Sequence, residues 1–154
     1  MKPGVFTQLY VHIVFAVKYR ERVLNDEIRD ELFKYSSGII TNRKHKSIVI
    51  NGTFDHIHLL VGLNPNEKIS DLLGCVKRES SAFINNKKYF PGKFRWQDGY
   101  GAFSYGRSQL DNIYKYIAKQ AVHHKKKTFR EEYIDLLKKF DIKFDEKYLF
   151  DFFD

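Results

Sequence analysis

The strongest constraint on the fold is an apolar run near the start of the chain, TQLYVHIVFAV at residues 7–17. It is rich in β-branched and aromatic residues, which favour extended structure. Its alternate positions form one apolar face, made of Leu9, Val11, Ile13, Phe15 and Val17. A period of two is typical of a strand. We therefore predict a first strand that lies at the centre of a sheet.

The next segments alternate between helical and extended patterns. Asn25 or Asp26 can cap a helix that runs to about Asn42 and carries an apolar stripe at helical spacing. Two apolar runs follow at residues 47–50 and 53–63, and the Asn51-Gly52 pair between them is typical of a tight hairpin turn. Helical spacing returns at residues 67–85. This part of the chain predicts the order β-α-β-β-α.

A last strand is predicted at residues 94–106, FRWQDGYGAFSYG, where aromatic residues alternate with glycines. It completes a β-α-β-β-α-β order, which is that of a ferredoxin-like α+β fold with an antiparallel sheet and helices on one face. Ser108 can cap a further helix to about Lys126, and Thr128 with Glu131 can start another. With 154 residues, the chain is expected to form a single domain, 1–154.

The charge balance favours a polyanionic partner. Twenty-seven Lys and Arg residues against nineteen Asp and Glu residues give a formal charge of +8, which attracts nucleic acid through counterion release. A basic surface that serves only solubility is the alternative. A single cysteine, Cys75, and no apolar stretch long enough to span a bilayer indicate a reducing, cytoplasmic location without a membrane partner.

Two histidines interrupt the second apolar run of the hairpin. Because strand side chains alternate, His56 and His58 point to one face while Ile57 and Leu59 point to the other. Two imidazoles on one face can share a divalent cation. They can also be simple polar positions of a sheet, and the spacing by itself does not decide between these readings.

The helix after the last strand carries a narrow polar stripe. At 100° per residue, Gln120 lies about 40° and His123 about 20° from Tyr116. A tyrosine can attack a phosphodiester, although its pKa near ~10 and the charge of the phosphate oppose the reaction at neutral pH. A metal bound by the histidines, with Gln120 as a third ligand, would offset that charge. Tyr116 can equally be a packing residue at the helix border.

Other residues of these types are weaker candidates. Tyr100, Tyr105 and Tyr114 have no polar partner one turn later on a clear helical stripe, and we assign His12 and His45 to structure or surface. Basic side chains near the predicted site are possible phosphate contacts: Lys18, Arg20, Lys77, Arg78, Lys125, Lys126 and Lys127.

Taken together, the motifs resemble those of the single-tyrosine HUH transposases, the insertion-sequence and REP-associated type. VHIVFAVKYR, DHIHLLVGL, WQDGYGAFSYG and YIAKQAVHHKKKTFREEY occur in the expected order over nearly the whole chain. The resemblance implies that His56, His58 and Gln120 bind Mg²⁺ or Mn²⁺ and that Tyr116 is the nucleophile. It implies a single-stranded DNA substrate with hairpin ends, a 5′-phosphotyrosine intermediate, and a homodimer whose tyrosine helices can be exchanged between active sites.

Three other functions remain open from the sequence. A replication or mobilisation nickase of the HUH type uses the same chemistry, but such enzymes are expected to carry a helicase or relaxase extension, and a chain of 154 residues argues against one. A non-catalytic RNA- or DNA-binding ferredoxin-like module would stack bases on an exposed sheet. A metal-dependent hydrolase would use the histidines with water as the nucleophile.

Overall fold

Strands and helices follow one another in the predicted order. The structure, a computed structural model, describes residues 3–18, 24–120 and 126–152. None of the helices within those ranges is long and apolar enough to cross a membrane. The elements are β1 (Tyr10–Ala16), α1 (Asp26–Asn42), β2 (Lys46–Gly52), β3 (His56–Gly62), α2 (Ile69–Lys87), β4 (Gly101–Tyr105), α3 (Leu110–Ala118) and α4 (Phe129–Lys139).

The four strands form one antiparallel sheet in the order β2-β3-β1-β4. Strand β1 lies inside the sheet, where Val14 is opposite His58 on one side and Gly101 on the other. This order is that of a ferredoxin-like fold. The predicted α+β class and the central position of the first strand are confirmed.

Both faces of the sheet are covered. Helices α1 and α2 pack on the face that carries Ile13, Phe15 and Leu59. Helices α3 and α4 pack on the opposite face, against Val14 and Leu60. Because strand side chains alternate, β1 and β3 supply residues to both cores. The second core surrounds the face to which His56 and His58 belong.

Two predicted helix starts are confirmed and one is wrong. The side chain of Asn25 accepts a hydrogen bond from the Ile28 amide at 3.0 Å, and that of Thr128 accepts one from the Glu131 amide at 3.1 Å. Ser108 is not a cap, because residues 107–109 form a 3-10 turn before α3. Helix α3 also ends at Ala118, so Gln120 lies beyond its end.

The hairpin turn is not at Asn51-Gly52. Both residues belong to β2, where Gly52 is opposite Ile57 in β3, and the turn is formed by residues 53–55. The Asn51 side chain instead donates hydrogen bonds to carbonyls at the end of α3, at 3.0 Å to Ile117 and 3.1 Å to Ala118. The Thr53 amide closes the turn on the His56 carbonyl at 3.0 Å. Polar contacts made across the fold have therefore moved the turn along the chain.

The first and last strands of the sequence are shorter than their sequence patterns predict. Strand β1 begins at Tyr10 rather than at Thr7, and β4 occupies only the last part of residues 94–106. Gly99 has a φ of +86°, a left-handed conformation that interrupts extended structure before β4. Trp96 makes a single bridge to Val17 and donates a side-chain hydrogen bond to Ser80 in α2 at 3.0 Å. The aromatic residues of this segment serve packing more than sheet extension.

Substitution of Gly52 by Ala is expected to destabilise the hairpin that carries the histidines. A Cβ atom at this position would lie 2.2 Å from the carbonyl oxygen of His56, so the backbone would have to shift. We expect the free energy of unfolding to fall by about 1–3 kcal/mol, as for other overpacked sites. Urea denaturation followed by circular dichroism measures this change.

Gly74 supplies the matched control, since a Cβ there meets no atom within 4 Å and the residue lies inside helix α2. Gly74→Ala should raise the free energy of unfolding by up to about 1 kcal/mol. Equal effects of the two substitutions would contradict the steric explanation for Gly52.

Candidate active site

The two histidines of β3 lie deep in the protein. His56 is 1% exposed and His58 is 0% exposed, and their ring centroids are 5.1 Å apart. Their neighbours Ile57 and Leu59 belong to the core on the other side of the sheet, so the predicted alternation of faces is confirmed. Buried imidazoles need polar partners, and each ring has them on both sides.

The turn before β3 orients His56. The ring Nδ1 lies 2.8 Å from Asp55 Oδ1 and 3.0 Å from Thr53 Oγ1. Because a carboxylate has no proton to give, Nδ1 donates to Asp55 and Nε2 faces the interior. This carboxylate-histidine arrangement is common where Nε2 binds a metal.

A third histidine orients His58. Nε2 of His12, which is fully buried on β1, lies 2.7 Å from His58 Nδ1. The assignment of His12 to structure or surface omitted this contact. The alternation of strand faces was a sequence signal for this contact, because His12 and Val14 are two residues apart and lie on one face of β1. In the sheet, Val14 is opposite His58.

Two oxygen-bearing side chains complete the cluster. Gln120 Oε1 lies 3.2 Å from His56 Nε2, and Gln120 is fully buried although it follows the end of α3. Glu132 Oε1, from α4, lies 2.9 Å from His58 Nε2 and 3.6 Å from His56 Nε2. Glu132 was not a candidate in the sequence. The sequence signal that could have identified Glu132 is its position as a charged residue within the apolar stripe between Phe129 and Leu136.

The electrostatics of this cluster favour a positive charge at its centre. Burial alone lowers the pKa of His56, but hydrogen bonds to Asp55 and Glu132 outweigh it and raise that pKa to about 9. Burial opposes ionisation of Glu132, yet the two histidines hold its pKa well below the usual range.

The donor set fits a divalent cation. The ligand atoms of His56, His58 and Glu132 lie within 4.8 Å of one another, and the oxygen of Gln120 faces the same point. Imidazole nitrogen with carboxylate and amide oxygen is a mixture that Mn²⁺ accepts readily, while Mg²⁺ prefers oxygen. The predicted ligands are thus brought together, and Glu132 joins them.

Tyr116 lies beside this cluster. The ring of this half-buried residue on α3 has its centroid 5.9 Å from that of His58 and 6.3 Å from that of His12. Burial raises the pKa of the Tyr116 phenol, and the charge of Glu132 together with a hydrogen bond to it raises the pKa further. The phenol therefore keeps its proton at neutral pH.

The basic candidates fall into different environments. Lys18, Arg78, Lys126 and Lys127 are exposed, although Lys127 pairs with Asp135. Lys77 donates to the carbonyls of Gln97 at 2.9 Å and Gly99 at 2.6 Å, so its ammonium group holds the loop before β4. Arg20, Lys125, His123 and His124 lie outside the described residues.

The fold is ferredoxin-like, and its buried histidine and carboxylate cluster, which lies beside a tyrosine, has donor atoms that suit a divalent cation. Residues 5–120 match the family described as "Transposase IS200 like". The ISDra2 transposase TnpA of Deinococcus radiodurans is 29% identical over 122 residues, which cover 76% of this chain and 87% of that protein. The chain belongs to the IS200-like transposase family.

Two solved structures are similar to this one. A crystal structure of a candidate transposase from Deinococcus radiodurans R1 has a TM-score of 0.57 and 28% identity, and the match covers 78% of this chain and 96% of that one. A REP-associated tyrosine transposase bound to a REP hairpin has a TM-score of 0.56 over 82% of this chain and 74% of that one. At 9% identity, the second likeness shows the fold alone.

The family match ends at Gln120. Helix α4 and Glu132 therefore lie beyond the matched residues, although Glu132 contacts both histidines. The buried site therefore combines residues from the part of the chain that matches the family with a residue from outside that part.

Proposed function

We propose that this transposase cleaves and rejoins single-stranded DNA through Tyr116, assisted by a divalent cation at His56, His58, Glu132 and Gln120. The observation that carries the proposal is the convergence of Tyr116 and a metal-ligand cluster in one site. A phosphoryl-transfer enzyme needs a nucleophile and charge stabilisation at the same phosphate. The position of the Tyr116 ring next to His58, and the closeness of the four ligand side chains in the same chain, support this assignment.

The chemistry is a balanced exchange of phosphodiester bonds. The phenolic oxygen of Tyr116 attacks the scissile phosphorus, the bond from phosphorus to the 3′-oxygen breaks, and a 5′-phosphotyrosine and a 3′-hydroxyl result. The proton of the phenol is transferred as the leaving oxygen is protonated. A second 3′-hydroxyl reverses the attack, so the bond energy is conserved and no nucleotide cofactor is required. When bound, the cation supplies Lewis-acid stabilisation of the charge on the phosphate.

The residues of the chain prepare this reaction in separate ways. Asp55 and His12 hold the two imidazoles with Nε2 inward, and burial of the cluster keeps competing water away. The raised pKa of Tyr116 means that the phenol is a poor nucleophile until its surroundings change. We expect binding of DNA at this site to change the surroundings of the Tyr116 phenol.

Hairpin recognition and dimer formation are further parts of the proposal. The fold is similar to that of a transposase bound to a REP hairpin, and the formal charge of +8 suits a DNA partner. The site forms within one chain, with Tyr116 and Gln120 next to the histidines of the same molecule. Exchange of the tyrosine helix between two subunits would require movement before α3, where Gly99 already adopts a φ of +86°.

The structure argues against the non-catalytic binding module. Such a module stacks bases on an open sheet, whereas both faces of the described sheet are packed under helices. A nickase or a hydrolase would still be compatible with the metal ligands. A covalent product between DNA and Tyr116 is expected of the transposase and not of the hydrolase. Rejoining of two different DNA strands distinguishes the transposase from a nickase.

The proposal is tested with a labelled pool of single-stranded hairpin DNAs that includes hairpins from the neighbouring genomic sequence. Incubation with the protein and Mn²⁺ should give label that migrates with the protein on a denaturing gel. Chelation of the metal should remove this adduct. Metal-dependent cleavage without any adduct would instead favour water as the nucleophile.

Glu132→Gln should weaken metal binding without removing the side chain. The amide keeps the shape and one oxygen donor but loses the negative charge that offsets a dication, so we expect Mn²⁺ affinity to fall about 10- to 100-fold. Isothermal titration of the DNA-free protein with Mn²⁺ measures this. Glu131→Gln, one residue away on the exposed side of α4, is the control. Unchanged affinity in Glu132→Gln would remove Glu132 from the ligand set.

A further inference from the structure

A cavity of about 420 Å³ opens beside Tyr116. Helix α3 lines one side through Asn112 and Tyr116, and helix α4 lines the other through Leu136 and Lys139. This volume falls in the range of small-molecule pockets. A ligand that contacts the Tyr116 oxygen could therefore place a neighbouring chemical group in the cavity.

The floor of the cavity suits a flat, weakly polar group. Ile113, Leu136 and the ring of Tyr105 line it, and all three residues are buried by the second core. Nζ of Lys139 lies 5.6 Å from the centre of the Tyr105 ring. Aromatic rings with neighbouring cations are the usual platform on which single-stranded nucleic acid places its bases.

Two amide side chains line the cavity together with Tyr116. Asn112 and Tyr116 are four residues apart on α3, about one helical turn or ~5.4 Å, and Gln109 lies in the 3-10 turn just before that helix. Gln109 Oε1 accepts a hydrogen bond from the Gly106 amide at 3.0 Å. That bond leaves the Gln109 amide hydrogens available, and the Asn112 amide has no partner within the described part of the chain. Amide groups of this kind read the edges of bases.

The rim of the cavity carries an excess of positive charge. Lys126, Lys127 and Lys139 line it. Of the two carboxylates in the wall, Asp135 pairs with Lys127 and Glu132 is held by the histidines. Lys126 and Lys139 therefore remain to attract the phosphates of a strand that passes over the cavity.

We propose that this cavity binds the base of a nucleotide that flanks the scissile phosphate, and that Asn112 and Gln109 determine which base is accepted. The inference rests on the proposed function, because it requires a DNA strand at Tyr116. Lys126, Leu136 and Lys139 lie beyond residues 5–120. The pocket is thus assembled partly from residues outside the family match.

The test uses a pool of single-stranded hairpin DNAs with randomised flanks and the full chain with Mn²⁺. Covalent adducts are isolated, digested with protease and sequenced to locate the cleaved bond. For the unchanged protein we expect a base preference at one position next to that bond. Asn112→Ala and Gln109→Ala should each reduce this preference about 10-fold, with adducts still formed. Asn86→Ala, an exposed asparagine in helix α2, should leave the preference unchanged.

A conservative variant guards against loss of folding. Asn112→Asp keeps the side-chain shape but offers only acceptors, so the preference should shift toward cytosine, whose amino group is a donor. Adducts with an unchanged base preference in all three cavity variants would overturn the pocket and leave the proposed function intact. Absence of adducts from the unchanged protein would overturn both.

Discussion

Replacement of Tyr116 by Phe is expected to abolish covalent capture of DNA. The substitution removes the only atom of this side chain that can attack phosphorus and keeps the ring that packs near His12 and His58. We expect the rate of strand cleavage to fall by at least about 1,000-fold, as for other enzymes that lose a nucleophile. The measurement is the yield of adduct against time on a denaturing gel with Mn²⁺.

Binding of hairpin DNA by Tyr116→Phe should change little, because the hydroxyl group contributes chemistry rather than most of the contact surface. Tyr114 offers a matched control on the same helix, since the residue is 45% exposed and is about 200° from Tyr116 around the helix axis. Tyr114→Phe should form adducts at the normal rate. Strong residual cleavage by Tyr116→Phe would eliminate Tyr116 as the nucleophile.

Replacement of His58 by Ala is expected to have the second largest effect. It removes one nitrogen from the proposed metal site and leaves Glu132 with His56 as its remaining histidine partner. We expect Mn²⁺ binding to be lost at millimolar concentrations and cleavage to fall by at least about 100-fold. Titration calorimetry measures the first effect, and the adduct assay measures the second.

The same substitution also has a structural cost. His12 loses its partner at 2.7 Å, and an unsatisfied buried group costs about 1–3 kcal/mol of stability. His45→Ala separates the two effects. His45 is also buried and bonded, to Glu67 at 2.7 Å and to the Asn64 amide at 2.9 Å, but it lies outside the cluster. If His45→Ala lost cleavage to the same degree, general destabilisation would explain both results.

The local pattern of apolar and polar residues was sufficient to predict the order of strands and helices. In residues 7–17 and in the histidine strand, successive side chains point to opposite faces of the sheet. The geometry of an extended backbone imposes this period of two residues. The caps at Asn25 and Thr128 were also readable, because a side chain that closes a helix acts on amides two or three residues away.

At two other positions the structure differs from what the local sequence predicts. Asn51-Gly52 has the composition of a turn, but Asn51 finds carbonyl partners in α3 and the turn forms later. Ser108 has the composition of a cap, but the chain enters α3 through a 3-10 turn held by Gln109. At Asn51 a tertiary hydrogen bond outweighed a weak local preference, whereas at Ser108 a different local hydrogen bond, between Gly106 and Gln109, did so.

For the candidate site, the sequence alone determined that His56 and His58 share a face and that Tyr116 follows on a later helix with Gln120 nearby. Only the tertiary structure decided that these residues meet, that His12 and Asp55 orient the imidazoles, and that Glu132 enters the cluster. The reason is physical. Alternation along a strand is a property of neighbouring residues, whereas a carboxylate 74 residues after His58 reaches it only when α4 packs on the sheet.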